Sequence, residues 1–120
     1  MFFAAAAAAL IAICPPSGPR HQCIVDGDTV WLAGEKIRIA DIDAPEMRGK
    51  CRAERAKAIM ARDRLTTMMN AGPVTIRRTG KDRYGRTLAR LSTREGSVGR
   101  RLIAEGLASK WPKRRDWCRG

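Results

Sequence analysis

At 120 residues the chain has room for one domain built around one modest core, not two. It carries 24 Lys and Arg against 12 Asp and Glu, and the resulting net charge of +12 favours a polyanionic partner: nucleic acid, an anionic membrane surface or an acidic polysaccharide. Aromatic residues make up only 5% of the chain, too few for a wide base-stacking platform.

Met1 to Ile13, MFFAAAAAALIAI, is apolar throughout. It falls short of the roughly 20 residues that a membrane-spanning helix needs. Its length and its alanines suit the apolar part of a signal peptide, although no Lys or Arg precedes it. The alternative is a buried N-terminal helix, and the lack of any polar face counts against it. Lipidation at Cys14 is disfavoured by bulky Ile13, where a small residue belongs. The expected organisation is therefore a signal-like segment over 1–13 and a domain over 14–120, exported to the periplasm or beyond, or tethered by an uncleaved N-terminal segment.

Four cysteines, Cys14, Cys23, Cys51 and Cys118, fit an oxidising compartment. No CxxC pair is present and His21 is the sole histidine, which argues against zinc. Three pairings are open. Cys14 and Cys23 bracket the loop PPSGPRHQ and can close it locally, which leaves Cys51 and Cys118. The alternative is four reduced thiols in a cytoplasmic protein.

Cys23 to Ile42 reads as strand, Asp-Gly turn, strand, Ala-Gly turn, strand, with Ile37, Ile39 and Ile42 facing inward. In the first turn, within CIVDGDTVWL, Gly27 is expected to supply a positive φ. DAPEMRGK is a loop, broken by Pro45 and Gly49. Arg52 to Asn70 has no Gly or Pro and reads as a helix, with Ala58, Ala61, Leu65 and Met68 on one face. Val74 to Arg78 is a short strand, Thr79 to Arg86 a charged loop and Thr87 to Leu91 another strand. Val98 to Glu105 is a second helix closed by Gly106, and the tail SKWPKRRDWCRG is irregular. Three strands, a helix, two strands and a helix fit an α+β, mainly β fold: a five-stranded Greek-key barrel of the oligonucleotide-binding type with two helices.

Asp28 ends the first turn, while Asp43 and Glu46 follow the third strand, whose end a meander returns beside that turn. Asp26, Asp28, Asp43 and Glu46 are thus expected to converge. Such a cluster repels itself unless a cation sits in it, and hard oxygen donors suit Ca²⁺ or Mg²⁺. Arg38 on the third strand and Arg86 at the end of the charged loop have the planar fork that matches phosphate oxygens. Acids, a metal and two arginines together are what metal-assisted phosphodiester hydrolysis requires. Taken singly, each residue reads as an ordinary turn acid or rim ion pair; the ordered set favours a site.

Asp-Gly-Asp-Thr-Val, Ile-Arg-Ile-Ala-Asp-Ile-Asp-Ala-Pro-Glu and Asp-Arg-Tyr-Gly-Arg-Thr-Leu-Ala, in that order, resemble the staphylococcal nuclease (thermonuclease) family from about Cys23 to Trp111. The resemblance implies an oligonucleotide-binding barrel that hydrolyses DNA and RNA with Ca²⁺ and leaves 3′-phosphate ends. It implies that Asp28 and Asp43 bind the metal, with the backbone carbonyl of Ala44 completing the set where the family archetype has Thr. By the same resemblance Arg38 and Arg86 hold phosphate, Glu46 is the general base, Asp26 stands behind the metal ligands, and Arg83 and Tyr84 touch the substrate's phosphate. The chain departs from the family in four ways, one being a short loop from Glu46 to the first helix. Trp111 and Pro112 stand where a substrate-side Tyr is usual, no third helix follows, and the cysteines are additional and are read as replacing C-terminal packing. The expected partner is a nucleic-acid substrate, with no protein partner and a monomeric state. The rival reading is a non-catalytic nucleic-acid-binding protein on the same barrel.

Overall fold

The computed structural model describes residues 10–119. Most of the apolar leader, Met1 to Ala9, lies outside them. The described elements, in order, are β1 (Ala12–Ile13), β2 (Cys23–Asp26), β3 (Thr29–Leu32), β4 (Glu35–Ile39), β5 (Ile42–Asp43), α1 (Arg52–Asn70), β6 (Thr75–Lys81), β7 (Thr87–Thr93), β8 (Gly96–Ser97), α2 (Val98–Ala104) and β9 (Ser109–Lys110). Both helices and the five longer strands stand where the sequence puts them, with ends shifted by a few residues. β6 and β7 run further than expected, which confines the charged loop to Asp82–Arg86. The tail is not wholly irregular, because Ser109–Lys110 pairs with β5.

The main sheet is mixed and open, in the order β1-β2-β3-β4-β7-β6, with β8 added to β7. β2, β3 and β4 form the expected meander, and β4 then pairs in parallel with β7. The sheet does not close into the expected five-stranded barrel. The free edge of β2, where closure would occur, is taken by β1 in parallel register. Ile11 anchors that edge: its N–H donates to Asn70 Oδ1 at 2.7 Å, and its C=O accepts from Asn70 Nδ2 at 2.9 Å.

Alternation along the strands sends Ile24, Val30, Ile37, Ile39, Ala89 and Leu91 into one core. Ile42, Ala61 and Leu65 join it, as do Val98 and Leu102 of α2. The helical face predicted from spacing, Ala58, Ala61, Leu65 and Met68, is the buried one. The small alanines let the meander approach α1 closely, and Gly27 shows how closely. It is absent from the positive-φ residues, so the expected backbone reason for glycine is wrong. A Cβ at Gly27 would stand 2.7 Å from Ala61 Cβ and 3.0 Å from Ala44 Cβ. Glycine is needed there for space.

Cys14 is bonded to Cys23 and Cys51 to Cys118, as the local-loop reading proposed. Cys51 is also the N-cap of α1, its Sγ accepting from Glu54 N–H at 3.4 Å. Among the described residues no helix is long and apolar enough to cross a membrane.

Cys51 and Cys118 are 67 positions apart. Closing a loop of that size restricts the unfolded chain by roughly 4 kcal/mol in the chain-entropy model. The Cys51→Ser, Cys118→Ser double variant is expected to lose about that much stability in urea unfolding while keeping its far-ultraviolet circular dichroism.

Candidate active site

Asp26 pairs with Thr29, so Gly27 and Asp28 form a two-residue turn. A register shift between Ile24 and Asp26 breaks the ladder just before it, a bulge of the kind that re-aims side chains. The turn is pressed on α1, and Asp28 is fixed within it. Its Oδ1 accepts from Thr29 Oγ1 at 2.9 Å and its Oδ2 from Ala44 N–H at 3.1 Å. The Asp28 N–H donates to Asp26 Oδ1 at 3.2 Å, and the Asp28 C=O accepts from Ile39 N–H at 2.8 Å. The turn after β2 is thereby joined to the chain on both sides of β5.

Arg38 lies opposite Thr29 on β4. Its Nη1 donates to the carbonyls of Ile39 (3.0 Å) and Ile42 (3.1 Å). Its Nη2 stands 3.6 Å from both Asp28 Oδ2 and Asp43 Oδ1. One guanidinium edge is thus braced by backbone while the other faces two carboxylates. Trp111 lies over the group, 5.0 Å from ring centroid to Cζ. Arg86 arrives from the neighbouring strand, since it precedes Thr87, the partner of Ile37. Its Nε is 2.6 Å from Asp82 Oδ2.

Asp26, Asp28, Arg38, Asp43, Glu46, Arg83, Tyr84 and Arg86 all line one cleft of about 530 Å³. Ala44 does not line it. Ala44 is buried and borders an adjoining cavity of about 320 Å³, shared with Asp43 and Glu46. Tyr84 is exposed, accepts a hydrogen bond from Arg83 at 3.0 Å, and lies within cation–π reach of Arg83 and Arg86.

The acids are crowded. Desolvation, then the charge of Asp28, pushes the Asp26 carboxyl up to about 7. Desolvation and Asp28 also raise Asp43, and desolvation with Asp28 and Asp43 raises Glu46. Burial is the first cause in each case and like charge adds to it, and a divalent cation among these acids would lower all three. Among the described residues no three Asp, Glu, His or Cys side chains are arranged to hold a metal. Asp28 and Asp43, each 3.6 Å from Arg38 Nη2, are a pair of hard oxygen donors. That pair suits an oxygen-seeking ion that keeps part of its water.

A profile of the family described as "Staphylococcal nuclease homologue" matches residues 36–117. The chain belongs to the staphylococcal nuclease family. An uncharacterized endonuclease of Haemophilus influenzae is 33% identical over 90 residues, or 71% of this chain and 47% of that protein. Protein ParB of Escherichia coli is 35% identical over 73% of this chain and 51% of its own length. Succinoglycan biosynthesis protein ExoI of Rhizobium meliloti is 32% identical over 71% and 48%. The chain spans about half the length of these curated relatives.

This staphylococcal nuclease homologue uses residues that pattern reading did not single out. Asp82 organises the loop carrying Arg83, Tyr84 and Arg86: its Oδ1 accepts from the N–H groups of Tyr84 and Arg86, both at 2.9 Å. An Asp that heads a tight loop and bonds forward to its backbone is a recognisable signal. Glu54 is buried, and its Oε2 accepts from Glu46 N–H at 3.0 Å. The spacing Cys51-x-x-Glu54 resembles a capping box with sulfur in place of hydroxyl. Arg114 also lines the cleft, and nothing in its surrounding sequence marked it.

In metal-free protein Asp26 is expected to titrate near 7 by carboxyl-carbon NMR, and Asp28→Asn should bring that value down. The folded value lies above the 3.8 of an ordinary Asp carboxyl, so the folded chain binds the extra proton between those limits. Stability from this group therefore falls as pH rises from about 4 to about 7.

Proposed function

We propose that the chain is a Ca²⁺-dependent nuclease that hydrolyses phosphodiester bonds of DNA, RNA or both by attack of water. The observation that carries this reading is the shared cleft, where Asp28, Asp43 and Glu46 face Arg38 and Arg86. Asp28 and Asp43 would hold the ion, with the Ala44 carbonyl as the third protein ligand. When bound, Ca²⁺ neutralises a phosphate oxygen and orders water beside it.

The rest falls to the chain's own side chains. Arg38 and Arg86 bind the scissile phosphate and hold the charge that grows on it in the five-coordinate transition state. Backbone carbonyls brace Arg38 and Asp82 braces Arg86, so neither must be ordered during the reaction. Glu46 takes the proton from water. Desolvation and neighbouring acids raise its proton affinity, the direction a general base needs. Asp26 supports Asp28 from behind, and Arg83 and Tyr84 contact the strand at the rim. The two disulfides support an oxidising, non-cytoplasmic setting, and a monomer suffices for every step.

Digestion of plasmid DNA and of a single-stranded RNA is expected to stop with excess chelator and to resume when Ca²⁺ is restored. Cleavage that persists in chelator would reject the metal assignment. Binding without cleavage in Ca²⁺ would leave the non-catalytic nucleic-acid-binding protein as the better reading.

Arg38→Lys and Arg86→Lys keep the charge and lose the fork. Each is expected to lower kcat by about 10²–10³, the usual cost of a missing transition-state donor. Near-normal turnover with an unchanged fold would make that arginine structural.

A further inference from the structure

Arg114 lies in a stretch that is held at both ends. At its start Ser109–Lys110 pairs with β5, and Trp111 N–H donates to Asp41 C=O at 2.9 Å. At its end Cys118 is bonded to Cys51. Between these anchors the neighbouring groups are engaged. Trp111 covers Arg38, Arg115 lies 4.7 Å over Trp117, and Asp116 faces Lys50 at 3.9 Å. Among the described residues Arg114 has no such ion pair. It borders the 530 Å³ cleft, which also holds Arg38, Arg83 and Arg86, and the adjoining 320 Å³ cavity, where Asp43, Glu46, Glu54 and Asp116 face Lys50 and Arg115.

A backbone anchored on both sides that presents a guanidinium without an ion-pair partner to the cleft of Arg38 and Arg86 is arranged for an anion. We propose that Arg114 binds a second phosphodiester of the substrate strand. The scissile phosphate sits with Arg38 and Arg86, and the next phosphate of the strand meets Arg114 where it lines the same cleft. This rests on the nuclease reading, and it makes the enzyme prefer a strand to an isolated diester. The Cys51–Cys118 bond sets the reach of that contact.

The test uses the full, oxidised chain with Ca²⁺ and two substrates, a single-stranded 12-nucleotide DNA and a nitrophenyl diester of thymidine. Arg114→Ala is expected to lower kcat/KM on the 12-mer about tenfold relative to the short ester, through KM. Arg100→Ala, an exposed charge on α2 outside both cavities, gives the effect of net charge alone. Fluorescence anisotropy of the labelled 12-mer is measured in parallel across salt concentrations. Loss of one phosphate contact should make the slope of log K against log salt shallower by about 0.7 in Arg114→Ala. Equal losses on both substrates would put Arg114 in the chemical step and overturn the proposal. So would a slope and KM that match Arg100→Ala. If the unaltered chain cleaves neither substrate, the nuclease reading fails, and the anisotropy slope still decides whether Arg114 holds phosphate.

Discussion

The Asp28 carboxylate joins parts of the chain that the sequence keeps apart. One oxygen is held by the Thr29 hydroxyl and the other by the Ala44 backbone, with the Arg38 guanidinium beside it. Asp28 is 7% exposed, so these partners replace nearly all of its water. A desolvated anion of this kind holds its neighbours in place because the alternative is an unpaired charge. The turn after β2, the end of β4 and the strand β5 all meet there. Its charge also raises Asp26, Asp43 and Glu46. The same group therefore sets both the geometry of the cleft and the proton affinity of the acids around it.

Much of this was legible in residue order, because short-range rules govern it. Alternating isoleucines mark the inward face of β4, and the uninterrupted run from Arg52 to Asn70 marks α1. The three motifs fixed the family and named the residues that line the cleft. What escaped depends on contacts across the sequence. Gly27 looks like a turn glycine and is a packing glycine, because Ala61 lies 34 positions away and leaves no room for a Cβ. The closed barrel was a fair inference from five strands, but two residues before Cys14 take the edge that closure needs. Arg114 sits in a tail without periodicity, and only the Cys51–Cys118 bond and the β5–β9 pairing bring it to the cleft.

The tail shows how a small domain compensates for limited core. Beyond Ala108 its buried apolar side chain is Trp117. Hydrophobic burial alone would hold such a segment weakly. The disulfide ends on Cys51, which caps α1 beside Glu54, and Glu54 in turn accepts from the backbone of Glu46. Stability of the tail and orientation of the Glu46 loop are therefore linked through one covalent anchor.

The grip of Asn70 on Ile11 also bears on how the chain is processed. Ile11 through Cys14 belong to the folded body: Ile11 by both backbone groups, Ala12 and Ile13 by pairing with β2, and Cys14 by its disulfide. A protease that cut after Ile13 would bare the edge of β2 and leave the half-buried Asn70 amide without its partner. A cut in the apolar N-terminal stretch leaves this fold intact only if it falls on the N-terminal side of Ile11. The alanine run from Ala4 to Ala9 lies on that side.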